Sequence, residues 1–336
     1  MASLQEIWDR VEASAAAAGL RPAYPPVVLD LEQSALSLVR FKKRRGRKPL
    51  LEAHVERAVD TPLLPDSIFE PAGVKTEGLS EQLQELFEIS GTRPGRISLV
   101  LPDNLAKISL LHLPEKPAGP RELRELVHSK MRRAVPFRLE DVAISYQIVP
   151  GDGREVSVLV VLVHRAVIER LEAALERVGA RPGLVDLATP NLLNVCRPQI
   201  DQLGSAGGDV ALLNCAGRYF SLVITRRGRV IFYRCKTFAP SADGSGGPNG
   251  SLVREVGHSF SYYREKLGGE GIAAVLLRAT SVSTDTVMEQ LSGLDCGTIR
   301  ALDLGDSIEL GEGVRLDAAA AQRLAPSFGA AIARGA

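Results

Sequence analysis

The chain has 336 residues, 45% hydrophobic and 24% charged. That is enough apolar material for sizeable cores, which excludes wholesale disorder and points to two domains or one large α/β domain. Its 41 basic and 40 acidic side chains nearly cancel, so the global basic excess of a nucleic-acid binder is missing.

Residues 1–24 read as a separate helical lead. Ser3 caps it, Leu4, Ile7, Trp8 and Val11 share one face, and Gly19 with the Pro-rich stretch after it ends it. Such a helix either docks on the body or binds a partner. Val27–Leu31 has the length and composition of a strand, Leu36, Leu38 and Phe41 mark a second, and Leu50–Val59 a third. Between the last two, Lys42, Lys43, Arg44, Arg45, Arg47 and Lys48 place six cations in seven residues. This run reads as a solvated hairpin tip, or as one attracted to anionic lipid head groups or an acidic partner.

A Pro- and Gly-containing connector leads to a short amphipathic helix over Leu79–Ile89, then strands over Ile97–Leu101 and Ala106–Leu113. Pro120 opens a helix whose apolar face is Leu123, Leu126, Val127, Met131 and Ala134. Its other face carries Arg121, Arg124, Lys130, Arg132 and Arg133. A hairpin follows, Val142–Ile148 and Val156–Val163 around Gly151-Asp152-Gly153, then a helix over Ala166–Val178, a strand at Leu184–Leu187 and a helix opened by Pro190. After a polar linker at Asp201–Gly208, strands recur at Val210–Asn214, Tyr219–Thr225 and Val230–Cys235. A Gly/Pro/Ser linker at 239–250 precedes helix 252–267, strand Ile272–Leu277, helix Asp285–Leu291, strand Ile299–Leu302 and an Ala-rich helix over Asp317–Ala333. Three strands followed by helix and strand material therefore occur twice, the first copy interrupted by an insert.

Motifs for catalysis are missing. There is no G-x-x-x-x-G-K-S/T, and the glycines at 244–250 lack a lysine and a strand-to-helix context. Gly257-His258-Ser259-Phe260-Ser261 is one residue off a nucleophile elbow and lies mid-helix. The five histidines share no metal-ligand spacing, and Cys196, Cys215, Cys235 and Cys296 form no C-x-x-C pair. The cysteines read as buried small hydrophobes in a reducing compartment. No signal-peptide core opens the sequence, and the apolar run Val158–Val163 has only strand length, so the expected location is cytoplasmic.

The stretch Leu123–Val149 is the most specific. A basic amphipathic helix leads into Val135-Pro136-Phe137, then Leu139-Glu140-Asp141-Val142, then Ser145-Tyr146-Gln147-Ile148. This resembles the PilM family of type IV pilus assembly proteins, and Val27-Val28-Leu29-Asp30, Val100-Leu101-Pro102 and Leu184-Val185-Asp186 fit the same order. The resemblance implies an α/β, actin-like ATPase fold of the cell-division-protein type, with two ribonuclease-H-like halves and an α+β subdomain inserted in the first. On that reading, 25–66 with 181–200 form the first half, 67–180 the insert and 201–336 the second half. It also implies a cytoplasmic protein that binds the short N-terminal segment of a PilN-like bitopic inner-membrane protein, with the pilus motor ATPase as a further partner.

The sequence departs from the family at the nucleotide loops. The first phosphate loop of the family is Asp-Ile-Gly followed by small hydroxyl residues, where glycine lets backbone N–H groups approach phosphate. Here Asp30 survives, Glu32 takes the glycine position and Ser34 follows. The second loop reads Asn214-Cys215-Ala216 and lacks its carboxylate, and the adenosine-side Gly-Gly falls at Arg278-Ala279-Thr280-Ser281, with no glycine. The expectation is a non-catalytic scaffold with no cofactor, ATP or Mg²⁺. The alternative is an actin-like ATP-binding switch in pilus or type II secretion assembly.

Overall fold

The computed structural model describes residues 24–44, 46–59, 63–69, 78–150, 156–238, 251–305 and 307–332. The lead helix, Arg45, the Gly-Asp-Gly turn and the 239–250 linker lie outside the described residues.

The first sheet starts from three antiparallel strands, β1 (Val27–Leu31), β2 (Ala35–Lys42) and β3 (Leu50–Ala58). Leu36 and Leu38 enter one core, while Val39 and Phe41 enter the other. Phe41 therefore lies with Val39 on the face opposite Leu36 and Leu38; a strand buried on both sides is apolar on both. Helix α1 (Leu79–Ile89) buries Leu79, Leu83, Leu86 and Phe87, and leads to β4 (Arg96–Leu101), which runs parallel to β1. Beyond the insert, α3 (Arg165–Arg177) returns the chain to β8 (Arg181–Leu187), parallel to β4. Helix α4 (Ala188–Ser205) follows.

The insert is its own three-stranded sheet, in the order β5 (Ala106–Leu113), β7 (Val156–His164), β6 (Val142–Pro150). One face is packed by α2 (Pro120–Ala134), with Leu123, Val127 and Met131 against Val142, Val158, Val160 and Leu162. This three-stranded sheet lies within the expected insert, 67–180. Strand β4 lies between β1 and β8 in the first sheet, and α1 and α3 pack on that sheet. The separate sheet occupies only 106–164. Composition cannot separate these strands, because β4 is as apolar as any insert strand and only its pairing assigns it.

The second half repeats the plan. Strands β9 (Asp209–Ala216), β10 (Tyr219–Arg226) and β11 (Arg229–Thr237) are antiparallel. Helix α5 (Ser251–Lys266), β12 (Ile272–Ala279), α6 (Thr284–Leu291) and β13 (Thr298–Ala301) follow, with β12 parallel to both β9 and β13. Its sheet order, β11-β10-β9-β12-β13, matches β3-β2-β1-β4-β8 of the first. The first sheet gains one more strand from late in the chain, β14 (Glu309–Leu310), parallel to β3. The last helix, α7 (Ala318–Ile332), is part of the core between the two sheets, with α4. There Phe328 meets Phe41 edge-on at 5.9 Å, and a Cβ on Gly329 would stand 1.9 Å from the Asn191 carbonyl oxygen. Only glycine permits that approach.

Candidate functional site

In open α/β sheets the ligand crevice lies beyond the carboxyl ends of the parallel strands. Here those ends are Asp30 on β1, Asp103 just after β4, Asn214 on β9 and Arg278 on β12, all buried. The cleft between the halves is therefore polar, and its side chains bind one another.

Arg278 is the centre. It is fully buried and uses its guanidinium on every side. Nε donates to the Gln322 carbonyl at 2.7 Å, Nη1 to Asn214 Oδ1 at 2.9 Å, and Nη2 to Glu32 Oε1 at 2.6 Å and the Arg323 carbonyl at 2.8 Å. Thr280 Oγ1 donates to the other Glu32 oxygen at 3.4 Å. Burial of a lone guanidinium is costly, so the Glu32 carboxylate is what makes this site tenable. The pair spans the halves, from the β1–β2 turn to the end of β12.

A second bridge lies beside it. Gln33 Oε1 accepts from the Arg218 backbone N–H at 3.3 Å and its Nε2 donates to Asp66 at 2.8 Å. Arg218 Nη1 closes the ring on Asp66 Oδ2 at 2.6 Å. Gly217, at φ 53°, lets the β9–β10 turn come this close, since a Cβ there would sit 3.1 Å from Gln33 Oε1.

Asp103 anchors a deeper network. It accepts from the Thr189 backbone N–H at 3.0 Å, from the Thr189 hydroxyl, and from Ser221 Oγ at 2.7 Å. Asn214 Nδ2 donates to Thr189 Oγ1 at 3.1 Å, which joins this network to Arg278. Burial raises the Asp103 pKa against those hydrogen bonds. Asp30 is buried with neither carboxylate oxygen partnered. Burial, then the Glu32 charge, raises its pKa well above the usual range. Asp186 is pushed up to about 6, again by burial.

Of the positions expected at the loops, Asp30, Glu32 and Asn214 meet in the cleft. Ala216 is a buried strand residue opposite Tyr219, and Ser34 is exposed. The residues present do not fit a magnesium-bound triphosphate. A carboxylate stands where N–H groups would face phosphate, the Glu32 backbone N–H is spent on the Ala35 carbonyl, and Asp30 is enclosed, with burial disfavouring its charged form. No His, Cys, Asp and Glu cluster among the described residues is arranged to hold a metal ion. Asp103, Thr189, Ser221, Gln33, Asp66 and Arg218 were not singled out by the sequence. The one available signal was an acidic residue directly after the wholly apolar Leu99-Val100-Leu101-Pro102.

The basic surfaces are less free than the sequence implied. Lys43 lies 5.8 Å above the Tyr24 ring, and Arg44 pairs with Glu309 at 2.7 Å. The run between β2 and β3 is thereby tied to Tyr24 and β14, with Lys42, Arg47 and Lys48 exposed. On α2, Arg121, Arg124, Lys130, Arg132 and Arg133 are all exposed, with Arg121 paired to Glu125 at 3.0 Å. No described helix is long and apolar enough to cross a membrane.

Comparison with known proteins follows the same lines. The structure of a PilM–PilN type IV pilus biogenesis complex matches with a TM-score of 0.71 at 18% identity, over 92% of this chain and 97% of that one. A Bacteroides thetaiotaomicron protein with an actin-like ATPase fold and unknown function matches with a TM-score of 0.50 at 10% identity, over 82% and 90%. The duplicated architecture is therefore the actin-like fold. No curated protein sequence matches the chain. The family model of the type IV pilus assembly protein PilM matches residues 28–242, and the chain belongs to that family.

Proposed function

We propose that the protein is a non-catalytic cytoplasmic scaffold of the type IV pilus inner-membrane platform. It captures the cytoplasmic N-terminal peptide of a PilN-like bitopic membrane protein. The observation that carries this reading is the likeness over nearly the whole chain to a PilM–PilN complex. The peptide would bind between insert and main body, along an edge of the insert sheet. Strands β5 and β6 are both edge strands, and Leu110 is half-buried on the face turned away from α2, where Leu159 and Val161 pack against the first-half core. Strand addition and apolar pockets would then supply affinity. The filled cleft supports a role without nucleotide chemistry.

The test is calorimetric titration of the full chain with a peptide covering the cytoplasmic N-terminus of the PilN-like protein. Saturable one-to-one binding is expected; no binding would remove the reading. The exposed cations at 42–48 and on α2 would orient the scaffold on the anionic inner leaflet. Charge reversal at Lys42, Arg47 and Lys48 is expected to lower binding to anionic vesicles, and unchanged binding would remove that part.

A further inference from the structure

We infer that the Glu32–Arg278 pair is an internal latch that stands in for a phosphate-bound nucleotide and fixes the two halves in one closed relation. The inference rests on the nucleotide-free reading of the cleft and not on the identity of the partner.

A triphosphate held between two such halves would bring negative charge to be met by donors from both loops. Here the negative charge belongs to the chain. Glu32 projects from the β1–β2 turn of the first half, and the second half meets it with Arg278 and the Thr280 hydroxyl. The side chains are 246 residues apart in sequence and 2.6 Å apart in space. Arg278 in turn holds two successive carbonyls of α7, the helix packed between the sheets, and Asn214 at the end of β9. The Gln33–Arg218–Asp66 ring ties the same turn to the β9–β10 turn. The buried guanidinium of Arg278 is paired without a ligand, because the chain itself supplies the carboxylate that meets it. A ligand phosphate would have to displace Glu32 from a buried guanidinium that no water reaches, and such displacement leaves a carboxylate unpaired. The relation of the two halves is thereby set by the fold and not by nucleotide state.

The test is hydrogen exchange on the intact chain, read at residues 30–35, 278–282 and 318–327. In the wild type these segments are expected to exchange as slowly as the central strands, with no change on adding Mg-ATP. Glu32→Gln keeps the shape and removes the charge. It is expected to speed exchange on both sides of the cleft by at least about tenfold and lower the melting temperature by several degrees. Arg278→Lys, which keeps a charge but loses the fork, should fall between. Glu255→Gln is the control. It breaks a partly buried pair with Arg234 and Lys236 inside the second half, and should leave the cleft segments unchanged. A folded Glu32→Gln protein with unchanged cleft exchange overturns the latch alone. Fast exchange of these segments in the wild type also overturns it, even if no variant folds. Protection of the wild-type cleft by Mg-ATP overturns both the latch and the nucleotide-free reading.

Discussion

The two halves of the molecule run through the same elements: three antiparallel strands, a helix, a parallel strand, a helix, a parallel strand and a helix. They differ in two connections: β13 reaches the last helix by way of β14 where β8 runs straight into α4, and the other is the crossover between parallel strands. In the second half β12 passes through α6 directly to β13, while in the first half β4 passes through the whole insert before α3 and β8. An insertion there leaves every pairing of the parent sheet intact, because a crossover connection already leaves the sheet and returns to it. The register extends the likeness to single residues. Asp30 lies opposite Ser37 and beside Val100, and Asn214 lies opposite Ser221 and beside Arg278. At equivalent positions, the first half keeps an acid with no hydrogen bond and the second an amide bonded on both sides. The equivalent strand ends differ as well, since Val100 is apolar where Arg278 is charged. The pseudo-symmetric cleft is thus polarised, with the second half supplying the cation and the first half's turn the anion.

The largest way to break this arrangement is Arg278→Ala. It leaves the partly buried Glu32 carboxylate without its cation and frees two α7 carbonyls, so we expect a loss of about 3–5 kcal/mol in denaturant unfolding. A loss under about 1 kcal/mol would mean that the pair is an ordinary surface contact. Gly329→Ala attacks the packing between halves from another side. The added methyl meets the Asn191 carbonyl, and overpacking of this kind costs about 1–3 kcal/mol. Unchanged stability would show that α4 and α7 part easily.

Asp30→Asn makes the first half imitate the second. The folded-state pKa of Asp30 is raised by burial, so ionisation opposes folding. The wild type therefore loses stability as pH rises from the unfolded carboxylate value, about 4, toward the raised folded value. The Asn variant lacks that loss, so its advantage over the wild type should grow as pH rises. An advantage independent of pH would contradict a raised Asp30 pKa. The smallest effect belongs to the tip. Lys42→Glu and Arg47→Glu should change stability by less than about 0.5 kcal/mol, which separates surface recruitment from the latch.

The duplicated plan was legible in the sequence because strand-length apolar runs, amphipathic helices and Gly/Pro turns punctuate both halves. The limits of the separate three-stranded sheet were not. Residues 96–101 and 106–113 are both apolar strands a few residues apart, and only pairing sends one to the parent sheet and the other to a sheet of its own. At the cleft, Glu32 and the glycine-free Arg278-Ala279-Thr280-Ser281 each stood out as a departure from a phosphate loop. That the two departures answer each other was hidden, because nothing local in a sequence marks a pair 246 residues apart. Asp103 was hidden for a related reason. Its partners Thr189 and Ser221 come from α4 and β10, which reach it only once both halves have folded.

The most direct test of the account is calorimetric titration of the wild-type chain with Mg-ATP, at protein concentrations able to detect an affinity of tens of micromolar. The account predicts no binding heat and no thermal stabilisation, because Glu32 already holds the cation that phosphate would need. Saturable one-to-one binding would contradict it and make the protein a nucleotide-responsive switch.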